Sequence, residues 1–125
     1  MKQKKFSISK RLESFKYALN GLRILIVEEH NARIHLVAAV CVVIAGLFFN
    51  ISSYEWIGVI LSIGLVFSLE IINTSIENIA DFVSPDKHEI IKKIKDLAAS
   101  GVLISAITAL AVGLVIFLPK ILRLF

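Results

Sequence analysis

Cysteine, proline and glycine-rich loops are scarce in this sequence, and charge is missing from long stretches of it. Of its 125 residues only Cys41 is a cysteine, so neither an internal disulfide nor a cysteine metal site can form. Cys41 lies in an apolar run and reads as a small apolar side chain. None of the six glycines precedes Lys-Ser or Lys-Thr at the spacing of a phosphate-cradling loop, and no Gly-x-Gly-x-x-Gly occurs. With no internal repeat and no low-complexity linker, one unit over residues 1–125 is expected. The basic start Met1-Lys2-Gln3-Lys4-Lys5 is not followed by an apolar core with a small-residue cleavage site, so no cleaved signal peptide is expected. A nucleic-acid partner is not expected either.

What the chain has in abundance is apolar surface: 57% of its residues are hydrophobic and the mean hydropathy is +0.81, too apolar for an ordinary soluble domain of this size. Ile34–Tyr54 is a 21-residue stretch free of Asp, Glu, Lys and Arg, and Leu97–Pro119 is a 23-residue one. Trp56–Ile76, another 21 residues, is interrupted only by Glu70. Each can cross a bilayer core that needs about 20 apolar residues. The expected fold is an all-α membrane protein with transmembrane helices at about 34–54, 56–80 and 95–119. Residues 1–33 carry eight Lys/Arg, the loop Asn50–Glu55 none, the loop Asp81–Asp96 four, and the tail Lys120 and Arg123. The positive-inside rule then places the N-terminus and the second loop in the cytoplasm and the C-terminus outside.

Ahead of the first span, Ile8, Leu12, Phe15, Leu19, Leu22 and Ile26 recur at steps of three and four, a narrow apolar stripe on a helix over about 7–30. Lys10, Arg11, Lys16 and Arg23 flank it, a pattern suited to a membrane surface or to a partner protein. Ser84-Pro85-Asp86 reads as a helix start, with Ser as N-cap and Pro at the first helical position, so helix is expected to resume near Pro85. Further on, Gly101, Ser105, Ala109 and Gly113 form a small-residue ladder for close helix packing.

The chemistry concentrates on one stripe. Glu70, Asn73, Glu77 and Asp81 fall within about 80° of one helical face at 100° per residue. Ionised groups at membrane depth cost a few kcal/mol or more, so an intramembrane acid marks a functional site by default. Glu70 has fourteen uncharged residues before it and six after. The stripe descends from water into lipid, which suits a reaction joining a water-soluble reactant to a lipid headgroup. One carboxylate can hold a hard cation while another accepts a proton from a hydroxyl. Glu29 and Lys95-Asp96 approach the same boundary from neighbouring helices, as a second cation ligand and a phosphate-neutralising cation. Plainer roles stand beside these: an i,i+4 pair of Glu29 with Arg33, a topology-setting Lys95, a loop histidine at His88, and solvated Asp81 and Asp86.

Glu70-Ile-Ile-Asn73-Thr-Ser-Ile-Glu77-Asn-Ile-Ala-Asp81, with His88 and Lys95-Asp96-Leu-Ala-Ala downstream, resembles the signature of the small prokaryotic diacylglycerol kinase and undecaprenol kinase family. Gly21-Leu-Arg23 through Glu29-His-Asn-Ala-Arg33 resembles that family's surface-helix motif, and the similarity runs from about Lys10 to Val115. The resemblance implies a lipid kinase of the bacterial inner membrane, a homotrimer of three-span subunits with shared active sites. It implies Glu70 as general base toward the lipid hydroxyl, Glu77 and Glu29 as ligands of the Mg2+ that bridges ATP phosphates, and Asn73 as support for the carboxylates. Lys10, Tyr17, Asp86, Lys87, His88, Lys95 and Asp96 would contact ATP, and Ala99 the lipid. Position 10 departs from the family, being Lys where members often have Arg, and a lysine cannot make a bidentate phosphate contact. The turn Ser84-Pro-Asp-Lys-His and the run Lys95-Asp-Leu-Ala-Ala-Ser-Gly resemble the undecaprenol kinase branch more than the diacylglycerol kinase branch. The main alternative is a small proton-coupled transporter that uses Glu70, which explains that residue but not the gathering of Glu77, Glu29, Lys95 and Asp96. A structural or regulatory membrane subunit, whose acids only pair with a partner, is the other.

Overall fold

A computed structural model describes residues 5–125, so the basic start at residues 1–4 lies outside the described residues. The chain forms four helices: α1 (Ile8–Glu28), α2 (His30–Phe48), α3 (Ser53–Val83) and α4 (Glu89–Leu122). Among the described residues there is no strand. Helices α2, α3 and α4 are long and apolar enough to cross a membrane.

Each junction has a local cause. Ser7 caps α1, accepting from the Lys10 amide at 3.4 Å. The α1 stripe from Ile8 to Leu22 stays exposed, with only Leu25 of this helix buried. The elbow into α2 is the single residue Glu29, extended at φ −104 and ψ 113. The charge-free stretch from Ile34 to Tyr54 is not one helix. It turns at Asn50, whose positive φ of 50° is one that asparagine tolerates better than most residues. There the Ile51 amide donates to the Gly46 carbonyl at 3.1 Å and the Asn50 amide to Leu47 at 3.3 Å, the paired bonds of a Schellman end. Ser52 and Glu55 then exchange side-chain and backbone hydrogen bonds in a capping box that starts α3.

The start expected near Pro85 is displaced to Glu89. Ser84 is instead the C-cap of α3, and its hydroxyl donates to the Asp86 carbonyl at 3.0 Å. His88 is the N-cap of α4, its Nδ1 accepting from the Ile90 amide at 3.1 Å.

α3 and α4 form the main packed pair, with α2 against α3 and α1 touching α2 and α3. Their core sits at the end opposite the acidic stripe, where Ile51, Val59, Ile116 and Phe117 are buried with Trp56 and Phe49 against them. Trp56 leans on Gly46 so closely that a Cβ there would meet its ring at 2.7 Å. The close approach of α3 to α4 uses Gly58, facing Val112 and Ile116. Of the small-residue ladder, Ser105 is buried, but Gly101 and Gly113 have nothing within 4 Å of where a Cβ would stand. The ladder therefore makes room within the chain more than it makes contact.

Two ion pairs pin the α3/α4 hairpin at its ends, Glu55 with Lys120 at 2.5 Å and Asp81 with Lys95. The sidedness set by Lys and Arg gives a test. Cysteines placed singly at Ser52 and Asp86, both exposed, should be labelled from outside the cell and from the cytoplasm respectively. Reversed labelling would put the polar end of the hairpin on the wrong side.

Candidate functional site

The polar end of α3 brings four of the sequence-marked groups together. Glu70 is 1% exposed and Asn73 and Thr74 are buried beside it. At about 1.5 Å per residue, Glu70 lies roughly 25 Å from the start of α3 at Ser53, and Glu77 and Asp81 roughly 36 and 42 Å. With a hydrocarbon core about 30 Å thick, Glu70 falls within it while Glu77 and Asp81 emerge. The Asn73 amide Nδ2 donates to Glu77 Oε1 at 3.4 Å. Asn73 Oδ1, Thr74 Oγ1 and Glu70 Oε2 are buried and have no hydrogen-bond partner within the chain. Glu29 stands at the elbow between α1 and α2.

The plain alternative for Glu29 is not what forms. Arg33 Nη2 donates instead to the Val27 carbonyl at 3.0 Å.

His35 is a member of the site that the sequence reading missed. Its Nε2 stands 3.6 Å from Glu70 Oε2, and its ring packs edge-on to Phe67 with centroids 6.5 Å apart. The signal was available: a histidine inside an otherwise charge-free stretch, two residues past Arg33. Below it an apolar cleft of about 400 Å³ opens between α2, α3 and α4, with Ala38, Val66, Phe67, Ala106 and Leu110 in its walls.

At the loop end a second cavity of about 470 Å³ collects Asp81, Asp86, Lys87, His88, Lys92 and Lys95. It thus gathers four of the residues expected to contact nucleotide. Lys95 holds Asp81, while Asp96 pairs with Lys92 at 2.7 Å and borders a neighbouring shallow cleft. Lys10 and Tyr17 on α1 are exposed and take no part in lining this cavity. Ala99 is exposed on α4.

Among the described residues no three His, Cys, Asp or Glu side chains form a ready-made metal cage. The donors at hand, Glu77 steadied by Asn73 and Glu29 at the elbow, nevertheless fit Mg2+, which binds through one or two carboxylates plus substrate phosphates and water. The arrangement offers carboxylates at the water boundary, a deeper buried carboxylate, and a lysine-bearing cavity beside them.

Residues 16–117 match the family model described as prokaryotic diacylglycerol kinase. An undecaprenol kinase of Bacillus subtilis is 37% identical over 114 residues, 91% of this chain and 93% of its own. A diacylglycerol kinase of Synechocystis is 36% identical over 114 residues, 90% of this chain and 65% of that longer protein. A diacylglycerol kinase of Escherichia coli is 30% identical over 93 residues, 74% of this chain and 76% of its own.

Among the described residues the amide of Asn73 is the one side-chain donor to the Glu77 carboxylate. Removing it in Asn73→Ala should cost about 1 kcal/mol, roughly a fivefold weaker hold on a divalent cation. Mn2+ titration followed by electron paramagnetic resonance, with an ATP analogue present, reads that change. Unaltered affinity would show that Asn73 does not orient the carboxylate.

Proposed function

The chain belongs to the prokaryotic diacylglycerol kinase family, and from that premise we propose that it transfers the γ-phosphoryl group of Mg-ATP to the hydroxyl of a membrane lipid alcohol, undecaprenol before diacylglycerol. The observation that carries the reading is the depth-graded pair on α3, Glu77 held by the Asn73 amide and Glu70 buried two turns below it. A soluble nucleotide and a lipid headgroup can meet only near such a boundary.

In this reading the lysine-bearing cavity takes the nucleotide. Lys95 exchanges its partner Asp81 for phosphate oxygens, and Lys87 and His88 face the same space. Lys10 and Tyr17 would join from α1, and Asp96 from the next turn of α4. Glu77 and Glu29 would hold Mg2+, which when bound neutralises charge on the phosphates and orients them. Glu70 accepts the proton of the lipid hydroxyl as the oxygen–phosphorus bond forms and the bond to the leaving ADP oxygen breaks. Positioning and charge neutralisation carry most of such a reaction.

The cleft below His35 suits the hydrocarbon tail of a lipid whose hydroxyl sits at Glu70, with Ala99 on the adjoining helix as a further lipid contact. The preference for undecaprenol rests on the turn at Ser84–His88 and on the extent of similarity to the Bacillus protein. A homotrimer with sites shared between subunits, in the bacterial inner membrane with its N-terminus in the cytoplasm, completes the proposal. The exposed α1 stripe and outward apolar faces are consistent with that assembly and with the bilayer. A proton-coupled transporter finds no support in the family membership and leaves the lysine-bearing cavity unexplained.

Purified protein presented with undecaprenol, diacylglycerol and ceramide under Mg-ATP tests the substrate. Turnover of none of the three would overturn the kinase reading. Glu77→Gln should abolish Mg-dependent ATP use with the fold intact, since a neutral amide lacks the anionic oxygen a hard cation requires, and Glu29→Gln should weaken it in the same way. Wild-type turnover or Mg dependence in either variant would remove that residue from the metal site. Glu70→Gln should lower kcat by about 10²–10⁴ with Mg-ATP affinity kept, the usual worth of a positioned base. Loss of Mg-ATP binding would make Glu70 a ligand instead.

A further inference from the structure

A general base sunk in apolar surroundings has a second task after it takes a proton, which is to give it up. Glu70 is 1% exposed, and its Oε2 has no hydrogen-bond partner within the chain. It cannot hand its proton straight to bulk water, yet each turnover requires the carboxylate again. Among the described residues the one basic side chain within ion-pair distance is His35, with Nε2 3.6 Å from that same Oε2.

We propose that His35 is the positioning and proton-relay residue of Glu70, carrying the hydroxyl proton from the buried carboxylate toward water after each phosphoryl transfer. The proposal rests on the reading of Glu70 as the base. The steps balance. The lipid O–H bond breaks to Glu70, the acid O–H of Glu70 breaks to His35 Nε2, and His35 releases a proton from Nδ1 as the neutral ring returns. The lipid oxygen keeps the bonding pair and ends in the phosphate ester.

Geometry supports each part. The His35 side chain is 21% exposed where that of Glu70 is 2%, and His35 stands five residues, about 8 Å, from the start of α2 at His30, so the imidazole lies between the buried oxygen and the polar elbow. Contact with Phe67 at an interplanar angle of 75° steadies the ring. A gap of 3.6 Å exceeds a formed hydrogen bond, as is common before substrate closes a site. The groups whose charge reaches Glu70 are His35 from α2, Glu29 from the α1/α2 elbow and Glu77 from α3. From α4, the residues that share the cleft with His35 are apolar, among them Ala106 and Leu110. Imidazole is the side chain whose ordinary range lies closest to neutrality, which suits it to take and return a proton in each cycle.

The test uses full-length protein in phosphatidylcholine vesicles with Mg-ATP and the alcohol turned over best in the panel. His35→Gln keeps a donor but cannot accept a proton. It should lower kcat by about 10- to 100-fold, less than loss of the base itself, leave the KM for Mg-ATP unchanged, and alter the acid limb of the kcat profile against pH. Added imidazole should restore part of the turnover of His35→Ala. A His35→Gln enzyme with wild-type kcat and profile, or a slowed one with an unaltered profile and no imidazole rescue, would overturn the relay. If Glu70→Gln also turns over normally the base assignment fails, whereas a dead Glu70→Gln beside a normal His35→Gln removes the relay alone. A readout free of activity guards against misfolding. In 15N-histidine-labelled protein, which has three histidines, the imidazole 15N resonances of His35 should differ between wild type and Glu70→Gln, while those of His30 and His88 stay in place. Unchanged His35 resonances would show that the two side chains do not interact.

Discussion

Burial of one carboxylate, Glu70, is the constraint on which the rest of this molecule turns. An ionisable group at membrane depth costs a few kcal/mol or more unless something answers it, and hydrophobic burial elsewhere must exceed that penalty. The answer comes from several directions at once: a histidine on the neighbouring helix, a turn of polar residues at Asn73 and Thr74 leading upward, and a helix long enough to carry the stripe into water. At about 1.5 Å per residue the 31 residues of α3 span roughly 46 Å, more than a bilayer core requires. The excess is the polar end, and all the candidate chemistry on α3 lies there or just beneath it.

Holding that end in place falls to the hairpin with α4. Its packed core lies at the far end, around Val59, Ile116 and Phe117, where no polar chemistry competes with packing. The two ion pairs stand at opposite ends of the hairpin. An exposed ion pair contributes little to stability, so the Asp81–Lys95 pair fixes where the two side chains stand more than it strengthens the hairpin. Helix α2 is packed more lightly, leaving the cleft that starts at His35. A lightly packed helix beside a closely packed pair thus leaves apolar space open between α2, α3 and α4.

Much of the fold was legible because its signals are long. Charge-free runs and the three- and four-residue spacing of Glu70, Asn73, Glu77 and Asp81 survive any uncertainty of a few residues in helix ends. The elements that escaped are those decided by a single hydrogen bond or a single contact. Ser84-Pro85-Asp86 has the composition of a helix start, yet the Ser84 hydroxyl turns to the Asp86 carbonyl and His88 caps α4 instead. The ladder from Gly101 to Gly113 has the spacing for close packing, yet within the chain α3 uses Gly58. His35 was missed because periodicity weighs residues along one helix, whereas its meaning comes from a residue on another.

The elbow at Glu29 joins these scales. Sequence proximity favours an Arg33 partner, and a free helix would allow one. The chain bends there because Glu29 is extended, while the Arg33 guanidinium is drawn back to the Val27 carbonyl at 3.0 Å. That one bond satisfies an orphan carbonyl at the end of α1 and relieves Glu29 of its nearest cation. The Glu29 carboxylate then keeps its charge without that partner. A helix end that needed a donor thus decides how much negative charge gathers at the water boundary. Like charge there repels that of the buried Glu70, so it adds to what His35, 3.6 Å from the Glu70 carboxylate, has to answer.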